Sequence, residues 1–141
     1  MKAELSIALI QSRIFWKNKE KNLNHFSNLI SKTHSSDIIL LPEMFNTAFC
    51  PSSINLSEKM SGNTITWMKQ IAEKKKCAVA GSLMIKEKKK IYNRIVWVSK
   101  EGEVFKYDKR HLFSLIKEEN FLTPGIKRTI INIEGWKVCP L

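Results

Sequence analysis

The sequence has no apolar run near the roughly 18 residues that a membrane-crossing helix needs. Its start, MKAELSIALIQSRIFW, also makes a poor secretory leader. Glu4, Ser6 and Gln11 interrupt the apolar residues, and no small-residue cleavage site follows. The expectation is a cytoplasmic protein with no membrane partner. Cysteine is scarce: Cys50, Cys77 and Cys139 lie at wide spacing. An odd number of cysteines, without a CxxC or a Cys/His cluster, argues against a disulfide framework and a zinc site. It leaves free thiols in a reducing compartment and no expected metal or organic cofactor. Arginine is rare beside lysine, 4 against 20, in a chain of formal net charge +11. Base-edge recognition favours arginine forks, so this charge makes a weak case for a nucleic-acid partner. Alanine is also low, with 6 Ala against 17 Ile and 10 Asn, which fits a coding bias toward AT-rich codons. The lysines gather where a solvated face would put them, at 74–76 and at 86–90. No nucleic-acid partner is expected.

What remains is 141 residues that are 43% hydrophobic, enough for one domain with a core. Residues 4–11, ELSIALIQ, alternate and then run apolar, as a strand does. From Asn18 to His34 the apolar positions Leu23, Phe26, Leu29 and Ile30 share one helical face, with Asn18 as N-cap. DIILL at 37–41 is a short continuous apolar run, the pattern of a strand buried on both faces. Residues 42–63 hold Pro42, Pro51, Gly62 and five serines or threonines, and read as a long loop of functional length. A second helix spans 64–76, with Ile65, Met68, Ile71 and Ala72 inward and lysines toward the negative end of its dipole. Strands at 77–85 and 91–100 flank a lysine-rich turn, and KEGE leads into a strand at 104–109. A loop runs to Gly125, and a last hairpin joins 128–133 to WKVCPL. The order β-α-β-α-β-β-β-β-β predicts a layered α/β sandwich. The chain ends within the last strand, which would leave an open edge.

Three acid–base positions stand at strand ends or in the loops beyond them, where ligands of such sheets usually bind. Glu43 follows the 37–41 strand, Lys109 follows the 104–109 strand, and Glu118 lies in the loop after it. A carboxylate buried beside Met44, Phe45 and Phe49 would be costly to ionise unless a cation offset the cost, which suits a general base. A lysine beside it could hold that charge and stabilise an oxyanion. The alternative reading of the same residues is a turn cap for Glu43 and a surface pair of Lys109 with Asp108.

Two segments, LLPEMFNTAF and YDKRHLF, resemble the first two signatures of the nitrilase superfamily of carbon–nitrogen hydrolases, most of all its omega-amidase branch. The 66 positions from Glu43 to Lys109 also look like the family's separation. NRIVWVSKEGEVFKYDKRHLF resembles the family's run into the lysine segment, and EGWKVCPL its strand into the third signature. The resemblance implies an αββα sandwich, of which residues 1–141 would form the N-terminal half of a single domain. It also implies hydrolysis of a small-molecule amide of a (di)carboxylic or keto acid by a Glu-Lys-Cys triad, in proteins that form homo-oligomers. Carried over, Glu43 is the base, Lys109 the oxyanion stabiliser and Glu118 the residue that positions the lysine. The nucleophilic cysteine would fall two residues past Leu141, so Cys139, four positions too early, matches no catalytic position and the chain alone is expected to be inactive. Ala48 stands where the family usually has glycine. Two other readings remain: a non-catalytic remnant serving as a binding or regulatory module, and a basic nucleic-acid-binding domain. If a fragment, the chain is also expected to leave Val79, Leu83, Ile95 and Trp97 without cover.

Overall fold

The computed structural model describes residues 2–141. Its chain order is β1 (Ile7–Leu9), α1 (Lys19–Ser31), β2 (Ile38–Leu40), α2 (Asn63–Lys75), β3 (Ala78–Glu87), β4 (Lys90–Val98), β5 (Val104–Asp108), β6 (Ile131–Ile133) and β7 (Trp136–Val138). The elements expected from the sequence are all present, but several strands are shorter. Only three residues each of β1 and β2 find ladder partners, and β7 ends at Val138.

β1 to β5 form one sheet in chain order. β1, β2 and β3 run parallel, joined by the helical crossovers that parallel pairing requires. β3, β4 and β5 follow as an antiparallel meander. The α1 N-terminus is held as its sequence suggests, Asn18 accepting from the Lys21 N–H at 3.0 Å. The α2 C-terminus closes on Lys76, which adopts a left-handed conformation with φ 53°. Lys17, Lys88 and Lys117 do the same. A chain with five glycines thus puts lysine at turns that glycine would fill without strain.

The two faces of the sheet carry different cores. Phe26 and Ile30 of α1, with Ile65, Met68 and Ala72 of α2, pack on Ile39, Val79, Leu83, Val96 and Val98. On the opposite face Ile38, Ala78, Ala80 and Trp97 meet Ile131, Ile133 and Val138 of the β6–β7 hairpin. The layers are therefore helix, sheet, sheet. The alternation of side chains along β3 and β4 corrects one expectation. Val79 and Leu83 point to the helices and are fully covered, and Trp97 is covered by the hairpin at 3% exposure. Only Ile95 of the four is left half-buried, on the wall of a cavity.

Candidate active site

Glu43 owes its place to the difference in strand length. β2 stops at Leu40 while β3 continues to Glu87, so the chain leaving β2 turns across the face of β3. The Leu41 N–H bonds the Ala80 carbonyl at 2.8 Å, and the Met44 N–H bonds Ser82 Oγ at 2.9 Å. Gly81 makes the approach possible, because a Cβ there would sit 2.7 Å from the Phe45 ring. Met44 and Phe45 are fully buried and anchor the turn. The side chain of Glu43 is 46% exposed. A carboxylate shut in an apolar surround is therefore not what this turn provides. The apolar neighbours face the core, and the glutamate is left at a cavity.

Lys109 follows directly from β5. In the β4–β5 ladder Arg94 pairs with Asp108. On one face the buried Arg94 guanidinium grips Asp108 with a two-pronged fork at 2.5 and 2.9 Å. The next residue along each strand points to the other face. There Asn93 and Lys109 meet, and the Lys109 N–H also bonds the Asn93 carbonyl at 2.9 Å. The loop beyond returns to this point, with the Gly125 N–H on the Lys109 carbonyl at 2.9 Å. A Cβ on Gly125 would lie 2.1 Å from the Asp108 carbonyl oxygen, so only glycine fits.

The three residues singled out in the sequence come together here. Lys109 Nζ lies 2.9 Å from Glu43 Oε1 and 3.0 Å from Glu118 Oε2. Glu118, not Glu43, is the buried carboxylate, with no exposed surface. Its Oε2 also accepts the Phe113 N–H at 2.7 Å. Burial disfavours the Lys109 charge, but the hydrogen bonds it donates to Glu43 and Glu118 outweigh that cost and hold the ammonium above the ordinary lysine value. Phe49 places its ring 5.4 Å from Nζ, a further contact for the cation. Asp108 is taken by Arg94, so the surface pair of Lys109 with Asp108 does not form.

A cavity of about 460 Å³ opens beside these groups. Glu43, Asn93 and Lys109 mark its polar end; Leu40, Ile95, Trp97, Tyr107 and the 138–141 segment line the rest. Cys139 is exposed on this wall, whereas Cys50 and Cys77 are buried away from it. Among the described residues no His/Cys/Asp/Glu group could hold a metal ion, and no helix is long and apolar enough to cross a membrane.

Comparison with known proteins settles the family. The carbon–nitrogen hydrolase family model matches residues 6–139. The chain belongs to that family. The omega-amidase YafV of Escherichia coli BL21-DE3 is 32% identical over 137 residues, covering 97% of this chain and 53% of that protein. The 2-oxoglutaramate amidase of Bacillus subtilis is 27% identical over 136 residues, covering 94% and 52%. A CN-hydrolase superfamily protein from Xanthomonas campestris, with an arsenic adduct in its active site, superposes with a TM-score of 0.93 at 30% identity, covering 96% and 52%. The fold is thus nitrilase-like, the resemblance is to the omega-amidase branch, and the chain spans about half the length of the relatives it matches.

Sequence reasoning missed one member of this polar cluster. Asn93 is 2% exposed, and its Nδ2 donates to Glu43 Oε1 at 2.6 Å and to Glu118 Oε1 at 3.2 Å. The only signal in the sequence was a polar residue opening the apolar strand NRIVWV.

Proposed function

We propose that this carbon–nitrogen hydrolase cleaves the amide of a small dicarboxylic or keto acid, with residues 1–141 as the first half of a single catalytic domain. Glu43 is the general base, Lys109 the oxyanion stabiliser and Glu118 the group that positions Lys109. The nucleophile is a cysteine outside residues 1–141. What supports the reading is the single ammonium held between two carboxylates at 2.9 and 3.0 Å, beside a cavity. Among the described residues nothing donates to Glu43 Oε2, so one oxygen of that carboxylate is free to take a proton.

Glu43 removes the thiol proton, and the thiolate attacks the amide carbon. Lys109 offsets the charge on the carbonyl oxygen. Glu43 returns the proton to the nitrogen, the C–N bond breaks and ammonia leaves a thioester. Glu43 then takes a proton from water, whose oxygen displaces the sulfur, and the acid departs as the thiol is restored. The free cysteines fit a cytoplasmic setting.

Ammonia release from 2-oxoglutaramate and succinamate tests the proposal. None is expected from residues 1–141 alone. Turnover by this chain that vanishes in Cys139→Ala would overturn the placing of the nucleophile. The amide substrate class is tested separately by binding. Millimolar succinamate should move the Lys109 Nζ resonance, and an unmoved signal counts against the class.

A further inference from the structure

We propose that Asn93 is a positioning residue of this site, its side-chain amide holding Glu43 and Glu118 as a pair around the Lys109 ammonium. The proposal rests on the reading of these residues as the catalytic groups. Two carboxylates and one ammonium carry a net negative charge, so without further donors the glutamates repel each other. Asn93 supplies those donors. An amide has two N–H hydrogens, and its Nδ2 has two acceptors here, Glu43 Oε1 at 2.6 Å and Glu118 Oε1 at 3.2 Å. Both acceptors are carboxylate oxygens, which determines which way the amide faces.

The two glutamates depend on this bridge unequally. Glu118 is buried and also held by the Phe113 N–H at 2.7 Å. Glu43 comes from a turn, is half in solvent, and among the described residues its carboxylate otherwise accepts only from the ammonium at the end of the flexible Lys109 side chain. Partly exposed ion pairs alone order a side chain weakly. Asn93 is therefore what orients Glu43, directing Oε1 to the amide and leaving Oε2 for proton transfer. Aspartate would donate nothing, serine or threonine only once, and glutamine reaches one carbon further. The Asn93 carbonyl, which accepts the Lys109 N–H, belongs to the backbone and survives any substitution.

The test uses residues 1–141 and needs no turnover. Asn93→Leu keeps the size and removes both donors. Lys109 is followed by ¹⁵Nζ NMR against pH, and by its acetylation rate relative to exposed Lys69 in the same molecule. Freed glutamates hold the ammonium less well, so the Lys109 midpoint should fall toward the ordinary lysine value of 10.5. Acetylation of Lys109 relative to Lys69 should rise, about tenfold for each pH unit of that fall. An unchanged midpoint and rate ratio in a folded variant would overturn the proposal and make Asn93 a space-filler. If Asn93→Leu shows no cooperative melt, Asn93→Ala carries the same test with the same two outcomes. A failed amidase assay would leave this result standing, so the two readings fall separately.

Discussion

Replacing Glu118 with glutamine tests the site through stability alone. Among the described residues every hydrogen-bond partner of this carboxylate is a donor: Lys109 Nζ and the Phe113 N–H to Oε2, Asn93 Nδ2 to Oε1. Glutamine keeps the shape but brings an NH₂ group. Turned one way, that group confronts Asn93; turned the other, it confronts Lys109 and Phe113. Rotating the Asn93 amide does not help, because it would turn a carbonyl toward Glu43 Oε1, now 2.6 Å from Nδ2. The variant loses at least one charge-assisted bond, worth ~1.5–3 kcal/mol, and leaves a buried donor unpaired. Lys109 keeps Glu43 and is 25% exposed, so the ~3–5 kcal/mol for breaking a fully buried pair is an upper bound. We expect a loss of about 2–4 kcal/mol, and a melting temperature lower by roughly 10 °C for a domain of this size. Circular dichroism melts with parallel urea titrations measure it. A melting temperature within about 2 °C of the parent would mean that a carboxamide suits the site as well as a carboxylate, and the donor-only surround would be refuted.

Ala48 sits at φ 65°, a left-handed conformation costing an L-residue about 1–2 kcal/mol, so Ala48→Gly should stabilise by about 0.5–1 kcal/mol in urea unfolding after glycine's own entropy cost. Gly125→Ala should lower the melting temperature and shift the Lys109 resonances, because the added methyl meets the Asp108 carbonyl and pushes the loop off its seat; unchanged spectra would count against that packing. Hydrogen bonds from Arg94 and Lys106 hold Glu87 down to about 2, below its ordinary 4.5. A depressed folded value means a stabilising contribution that is complete above about 4.5 and lost as pH falls through about 2. Glu87→Gln should therefore flatten the stability profile over that window, and an identical profile would rule the contribution out. Ile7 and Leu9 of the edge strand β1 are 46% and 73% exposed, so sedimentation velocity should show concentration-dependent association, reduced by Leu9→Lys; a monomer at all concentrations would argue against an adhesive edge.

Local order was legible from one end of the chain to the other. Apolar spacing marked both helices, and Asn18 caps α1 as its position implied. The apolar run at 37–41 marked β2, and the lysine-rich turn marked the β3–β4 hairpin. These features depend on residues a few positions apart. Glu43 and Lys109 stood out at strand ends and Glu118 in the loop beyond, but their spacing equally suited a turn cap and a surface pair, and it was the resemblance of the segments around them to a known family that gave the three their roles. Burial could not be read the same way. Glu43 follows an apolar strand and precedes Met44 and Phe45, yet the turn sends those two inward and the carboxylate outward. Glu118 sits in a polar-looking loop, yet that loop folds back over Lys109 and buries it. Nor could the face of Val79 and Leu83 be assigned, since alternation tells which residues share a side but not what covers that side. Asn93 is the clearest case. In the sequence it is one polar residue in a strand, and only the β4–β5 register, with Lys109 beside it and two distant glutamates brought to its amide, makes it the centre of a charged cluster. Contacts that span 25 to 66 positions are decided by how the layers stack, which no local pattern encodes.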